Sequence, residues 1–186
     1  HEAHVAGVQA AQEILSSLGA KVVLRYRSEP GHTEDFDLVV TLGGDGTLLW
    51  VSHLVGANVP LLAINTAPQD SVGHYCAGSI ETMRELFTQA LAGTLPSVRL
   101  TRMRVEMDGE LVNNRILNDV LFAHECPAAT SRYLIEHEGK IEDHISSGIW
   151  VGPASGSTAA QRSAGGKVMP LQSKRLQFVV REPYIR

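Results

Sequence analysis

The sequence predicts an N-terminal Rossmann-like parallel α/β half, residues 1–97, followed by a mainly β, sandwich-like half, residues 98–186. Three observations carry this reading. Up to Pro96, short apolar runs of strand length alternate with helical periodicities, the pattern of βαβ units. Beyond it, strand-like runs are separated by turn pairs such as Asp108-Gly109 and Glu138-Gly139. Between Leu42 and Thr47 a glycine-rich loop stands where an apolar run gives way to a helix, and open α/β sheets bind ligands beyond that edge.

The elements follow in order. Val5, Val8, Leu15 and Leu18 recur at helical spacing, with Gly19 placed to end the helix. Lys21 to Arg25 is a β-rich run, and Phe36 to Leu42 is an apolar strand that leads into the loop. A second helix is expected over Thr47 to Val55, then a strand over Pro60 to Ile64 and a polar loop through Gly78. Ser79 is expected to cap a helix with Ile80, Met83, Leu86, Phe87, Ala90 and Leu91 on one face and Gly93 at its end. In the second half, strand-like runs cover Val98 to Met107, Arg115 to Ala123, Arg132 to His137 and Leu176 to Val180. There is no internal repeat or low-complexity tract.

At 186 residues and 44% hydrophobic, the chain suffices for one substantial core or two small lobes. No stretch reaches the roughly 18 consecutive apolar residues of a membrane span, so no membrane partner is expected. A net charge of −4 gives no basic face for a polyanion, which argues against nucleic acid. Cys76 and Cys126 have no metal-ligand spacing and read as buried free thiols in a reducing compartment. The cytoplasm is expected, or the mitochondrion if a targeting segment preceded His1.

In the loop, Gly43, Gly44 and Gly46 remove three Cβ atoms, so backbone N–H groups can approach phosphate oxygens beside the positive end of the Thr47 helix. Asp45 is anomalous there, because a carboxylate repels phosphate. It makes sense as the base that takes the proton from a hydroxyl attacking a phosphoryl group. The competing reading is a tight βα turn in which Asp45 caps the helix. Neither the Walker pattern nor the dinucleotide fingerprint is present.

Leu42-Gly43-Gly44-Asp45-Gly46-Thr47 resembles the motif shared by NAD kinases, diacylglycerol and sphingosine kinases, and 6-phosphofructokinases. Further segments are similar to NAD kinases in particular: Pro60-Leu61-Leu62-Ala63-Ile64-Asn65, the loop with Gly73-His74-Tyr75, and Leu117-Asn118-Asp119-Val120. Gly152-Pro153-Ala154-Ser155-Gly156-Ser157-Thr158-Ala159-Ala160 resembles that family's Thr-Pro-Thr-Gly-Ser-Thr-Ala-Tyr segment, with Gly165-Gly166 and Pro170 continuing the likeness. The resemblance implies transfer of the ATP γ-phosphate, with Mg²⁺, to the adenosine 2′-hydroxyl of NAD or NADH. It implies Asp45 as the base and Gly43, Gly44, Gly46 and Thr47 around the phosphates. Dinucleotide contacts are implied at His74, Tyr75, Asn118, Asp119, Ser155, Thr158, Ala159 and Ser163, and a homo-oligomer, dimer or tetramer, is implied as the assembly.

Read from the residues alone, Asn118 and Asp119 lie in an apolar run and would point to opposite faces of a strand, one of them inward and in need of a hydrogen-bond partner, or else would stand at a strand end or bulge with both side chains in water. Three positions depart from the family pattern: Asp119 replaces Glu, Ala160 replaces Tyr, and Ser147 stands where an Asp would hold the nicotinamide ribose. These departures resemble the plant-type NADH kinases. A lipid or sugar kinase of the same superfamily, a non-catalytic NAD(H) sensor, and polyphosphate as donor stay open. His53, His124, His137, His144, Lys167, Lys174 and Arg175 read as packing or surface residues.

Overall fold

The computed structural model describes residues 2–29, 31, 33–69, 71–126 and 128–184. The chain forms two compact units, His1–Ser97 and Val98–Arg186. In the first, α1 (Glu2–Ser17) is followed by β1 (Val39–Leu42), α2 (Asp45–Ser52), β2 (Leu61–Asn65), β3 (Gly78–Ser79) and α3 (Met83–Leu91). The strands form a parallel sheet in the order β1-β2-β3, with Val39 opposite Leu61 and Asn65 opposite Ser79. Its interior is Ala11, Leu62, Ile64, Met83 and Phe87, with Leu15, Leu38, Val40, Ile80 and Leu86 packed around them. Strands covered by helices read as continuous apolar runs, and Leu61–Ile64 does so.

Several sequence expectations shift here. Lys21 to Arg25 belongs to no strand: Val23, Leu24 and Tyr26 stay exposed, and β propensity without a neighbouring edge makes no ladder. This stretch is anchored instead by the Arg25 guanidinium over the Phe36 ring and that of Arg27 over Trp50. The strand expected from Phe36 pairs only from Val39, whose N–H meets the Pro60 carbonyl. Ser79 does not cap α3; its backbone completes the sheet, and Thr82 is the N-cap after an intervening turn. Leu91 lies off the buried face and is 46% exposed.

The second unit is antiparallel. β4 (Met103–Met107) pairs with β5 (Glu110–Ile116), and β7 (Ser131–His137) with β8 (Lys140–Ser146). A three-stranded sheet has the order β10 (Leu176–Val180), β9 (Ile149–Pro153), β6 (Val120–Phe122). A short 3₁₀ helix, Ala154–Thr158, and α4, Ala160–Ser163, follow β9 directly. The Arg115-to-Ala123 run is broken, because Leu117, Asn118 and Asp119 leave the ladder between β5 and β6. Residues 98–102 likewise lie outside β4. No helix among the described residues is long and apolar enough to cross a membrane.

Both hairpin turns place two central residues at positive φ: Asp108 at 53° with Gly109 at 83°, and Glu138 at 50° with Gly139 at 75°. That conformation suits the right-handed twist of the strands, and it favours Asn, Asp and Gly. Glu138 has no such preference. Glu138→Asn is expected to stabilise the protein by about 0.5–1 kcal/mol, read as a rise in melting temperature with an unchanged circular dichroism spectrum.

Candidate functional site

β1 ends at Leu42, and the chain turns at Gly43, whose φ of 149° and position against the Thr47 hydroxyl leave no room for a Cβ. Gly44 is the N-cap of α2, and a Cβ there would strike the Ser71 side chain. The Thr47 N–H already bonds to the Gly44 carbonyl at 3.0 Å, so α2 starts two residues earlier than the sequence suggests. Asp45 is thereby its first residue, where the helix dipole favours a negative charge. The Gly43 N–H donates to the Ile64 carbonyl at 3.0 Å. The amides free of an intrahelical acceptor are those of Gly44, Asp45 and Gly46, which narrows the expected phosphate cradle to these three.

The Asp45 carboxylate is clasped. The His74 N–H donates to its Oδ2 at 2.9 Å, and the Tyr75 N–H donates to its Oδ1 at 2.8 Å. A carboxylate offers about four lone-pair positions, so each oxygen keeps one for a further donor. The clasping loop is itself shaped by Asn65, 6% exposed, which donates from Nδ2 to the Ser71 carbonyl and accepts from the Ala67 N–H, both at 3.0 Å. Gly73, at φ 66°, passes so close to the Asn65 amide that a side chain would collide with it. The His74 and Tyr75 rings meet edge to face at 5.3 Å. A concavity of about 460 Å³ in this unit is lined by Asn65, Gly73, Cys76, Ser79, Thr82 and Glu85, and Asp45 is not in its wall.

Cys76 is half-buried and Cys126 exposed, which corrects the expectation of two buried thiols. Burial, and secondarily the Asp45 charge, push the Cys76 thiol pKa up and keep it protonated. His53 is exposed at the end of α2, and Lys167, Lys174 and Arg175 are exposed. His144 stacks on Tyr133 at 5.8 Å.

In the second unit, the sequence-predicted residues meet around the break between β5 and β6. The buried Ser155 hydroxyl donates to the Leu117 carbonyl, and the Gly152 and Gly156 backbones pass so near the Asn118 carbonyl that neither tolerates a Cβ. Ser157, fully buried, donates to the Ala154 carbonyl at 2.6 Å and accepts from the Met169 N–H at 2.9 Å. Ser155 therefore orders the segment with its hydroxyl, while Thr158 and Ala159 are part-exposed and Ser163 is exposed. Asp119 Oδ2 is buried with no hydrogen-bond partner. Desolvation raises the Asp119 pKa, as burial of an uncompensated charge must.

Sequence reasoning missed Asn65 as the shaper of the clasping loop, and Gln161, fully buried, whose Nε2 also lacks a partner. It also missed the Ser146 hydroxyl, buried between the Tyr133 hydroxyl at 2.7 Å and the Gly148 backbone. Asn65 closes the Pro60–Asn65 segment noted above, but its role, like those of Gln161 and Ser146, is shown by the fold alone.

Residues 8–95 match the family described as the ATP-NAD kinase N-terminal domain. A protein named probable NADH kinase from Oryza sativa subsp. japonica is 36% identical over 177 residues, 84% of this chain and 54% of the relative. The NADH kinase of Arabidopsis thaliana is 35% identical over 203 residues, 97% of this chain and 64% of the relative. The chain thus spans between about half and two thirds of the length of these relatives. The crystal structure of an NAD kinase from Archaeoglobus fulgidus in complex with ATP superposes with a TM-score of 0.78 at 25% identity, covering 96% of this chain and 69% of that one. Yeast NADH kinase complexed with NADH gives 0.68 at 22%, covering 79% and 42%, and shares the fold.

Two outcomes test the site as described. Asn65→Ala removes both anchors of the clasping loop and is expected to cost about 1–3 kcal/mol, measured by chemical denaturation. Asp119→Asn is expected to raise the melting temperature at pH 7. The folded-state pKa of Asp119 is raised, so its contribution to stability is fully present below about pH 4 and is lost as pH climbs through the folded value. The gain from Asn should accordingly vanish near pH 4 in a pH series of thermal melts.

Proposed function

We propose, from the match of residues 8–95 to the ATP-NAD kinase N-terminal domain and from the NADH kinase relatives, that this chain transfers the γ-phosphate of ATP to the adenosine 2′-hydroxyl of NADH or NAD, making NADP(H). The observation that carries the proposal is the Asp45 carboxylate, fixed by two backbone N–H groups at the mouth of a glycine loop. A base must be held still relative to the hydroxyl it deprotonates, and both oxygens of Asp45 keep acceptor capacity.

The donor phosphates lie against the N–H groups of Gly44, Asp45 and Gly46, with Thr47 beside them. Mg²⁺, carried in on the nucleotide, supplies neutralisation of the phosphate charge. Among the described residues no three His, Cys, Asp or Glu side chains gather to hold a metal. The 2′-oxygen attacks the γ-phosphorus, its proton passes to Asp45, the bond to the β-phosphate oxygen breaks, and ADP leaves. Asn118 and Asp119 receive the adenosine, and the orphaned Asp119 oxygen supports this reading because a ribose or adenine donor would satisfy it. His74, Tyr75, Thr158, Ala159 and Ser163 complete the contacts.

The preference proposed is for NADH. Ser147 and Gly148, whose backbones pair with Arg181, offer no side-chain charge where the family pattern has a carboxylate. The ribose contact is lost to both dinucleotides, but a neutral serine also attracts the cationic ring of NAD less than an aspartate would, a loss that neutral dihydronicotinamide does not share. The two plant relatives are both named as NADH kinases. Met107, Leu134 and Ile141, each at least 65% exposed on the hairpins, support a homo-oligomer.

The test is NADP(H) formation from NADH and NAD with ATP and Mg²⁺. Asp45→Asn is expected to lower kcat by about 10²–10⁴-fold. Full activity in that variant removes Asp45 from its role, and a folded wild type that phosphorylates neither dinucleotide rejects the proposal.

A further inference from the structure

At the start of α2 stands a side chain that the reaction scheme above does not use. Gly44 is the N-cap of that helix, and no side chain caps it. A Cβ on Gly44 would strike the Ser71 hydroxyl oxygen first and the Ser71 Cβ next. The space left by the missing Cβ is thus taken by Ser71, which reaches it from the loop that follows β2.

The Ser71 backbone is held on both sides. Its N–H donates to the Ala67 carbonyl at 3.1 Å, and its carbonyl accepts from Asn65 Nδ2 at 3.0 Å. Asn65 is buried and also accepts from the Ala67 N–H, so the turn shifts only by breaking the bonds of a buried amide. The Ser71 hydroxyl, by contrast, makes no hydrogen bond among the described residues. Ser71 is half-buried, which leaves it within reach of a ligand.

A fixed hydroxyl with an unused donor, beside three helix-terminal amides, suits an oxyanion. The N–H groups of Gly44, Asp45 and Gly46 have no intrahelical acceptor, and the positive end of the α2 dipole lies with them. Serine adds a donor there without adding charge. A lysine in its place would pair with the neighbouring Asp45 carboxylate, whereas a neutral donor leaves that base uncommitted.

We propose that Ser71 is a phosphate-binding residue of this site, its hydroxyl donating to a phosphate oxygen of the bound ATP beside the Gly44 backbone. The proposal rests on the kinase reading above and deepens it, since Ser71 belongs to none of the motifs that suggested that reading. Asn65 then serves twice, because the amide that shapes the clasp on Asp45 also sets the Ser71 hydroxyl in place.

The experiment compares three side chains at position 71. Ser71→Ala removes the hydroxyl and is expected to raise the KM for ATP about tenfold and to weaken ATP binding equally by calorimetry, the effect of one hydrogen bond to a charged group. Its kcat and KM for NADH are expected to stay within about twofold of wild type, with an unchanged melting temperature. Ser71→Cys fills the same space with a weak donor and is expected to match Ser71→Ala, while Ser71→Thr restores the hydroxyl and should return the KM for ATP to within about threefold of wild type. An unchanged KM for ATP in the alanine and cysteine variants, a loss shared equally by NADH, or a threonine variant no better than alanine overturns the proposal and leaves the kinase reading intact. A folded wild type that phosphorylates neither NADH nor NAD overturns both.

Discussion

Everything at the edge of the first unit where β1 gives way to α2 depends on one carboxylate holding two amides. Asp45 opens α2, and the His74 and Tyr75 N–H groups that it accepts come from the segment leading to β3, about thirty residues later. A single side chain therefore fixes the distance between the end of β1 and the crossover from β2 to β3. The arrangement is self-consistent, because the helix N-terminus and the two amides all favour a negative charge at one point. It also explains the glycines. Gly43 and Gly44 let the strand turn into the helix within two residues, against Thr47 and Ser71, which delivers Asp45 to its amides.

The second unit solves its packing differently. Ser146, Ser155 and Ser157 sit inside it, each hydroxyl bonded to a nearby carbonyl, in positions that hydrocarbon would otherwise fill. Small buried side chains let backbones approach closely, and Gly152 and Gly156 press on the Asn118 carbonyl as a result. The cost falls on Asp119, desolvated and under-satisfied on one oxygen. Violations of this kind are expected where a ligand completes the set.

What was legible in the sequence was local. The glycine loop announced itself because no other residue reaches φ 149° freely, and the two hairpins because Asp-Gly and Glu-Gly interrupt alternating runs. What was illegible depended on partners distant along the chain. Lys21 to Arg25 has strand composition but no edge to join, and Ser79 looks like a cap until Asn65 takes its backbone into the sheet. Asn118 and Asp119 sit in a strand-like run that bends away from the ladder because Ser155 captures the Leu117 carbonyl. Asn65 formed part of the apolar segment resembling the family strand, yet its grip on the loop required knowing where Ala67 and Ser71 go. Gln161 carried no signal, since an amide among small residues reads as surface.

The order of pairing in the second unit sets a sequence of events in time. The β4–β5 and β7–β8 hairpins join neighbouring residues through two-residue turns and close within microseconds. The β6–β9 pairing instead links residues about thirty positions apart, with the whole β7–β8 hairpin in between, and β10 returns across a further long connection. Loop-closure entropy makes these the slow contacts. The break that carries Asn118 and Asp119 opens directly into β6, so this segment takes shape only when the late sheet forms. A chain still emerging during synthesis would hold both hairpins ready well before that break is set.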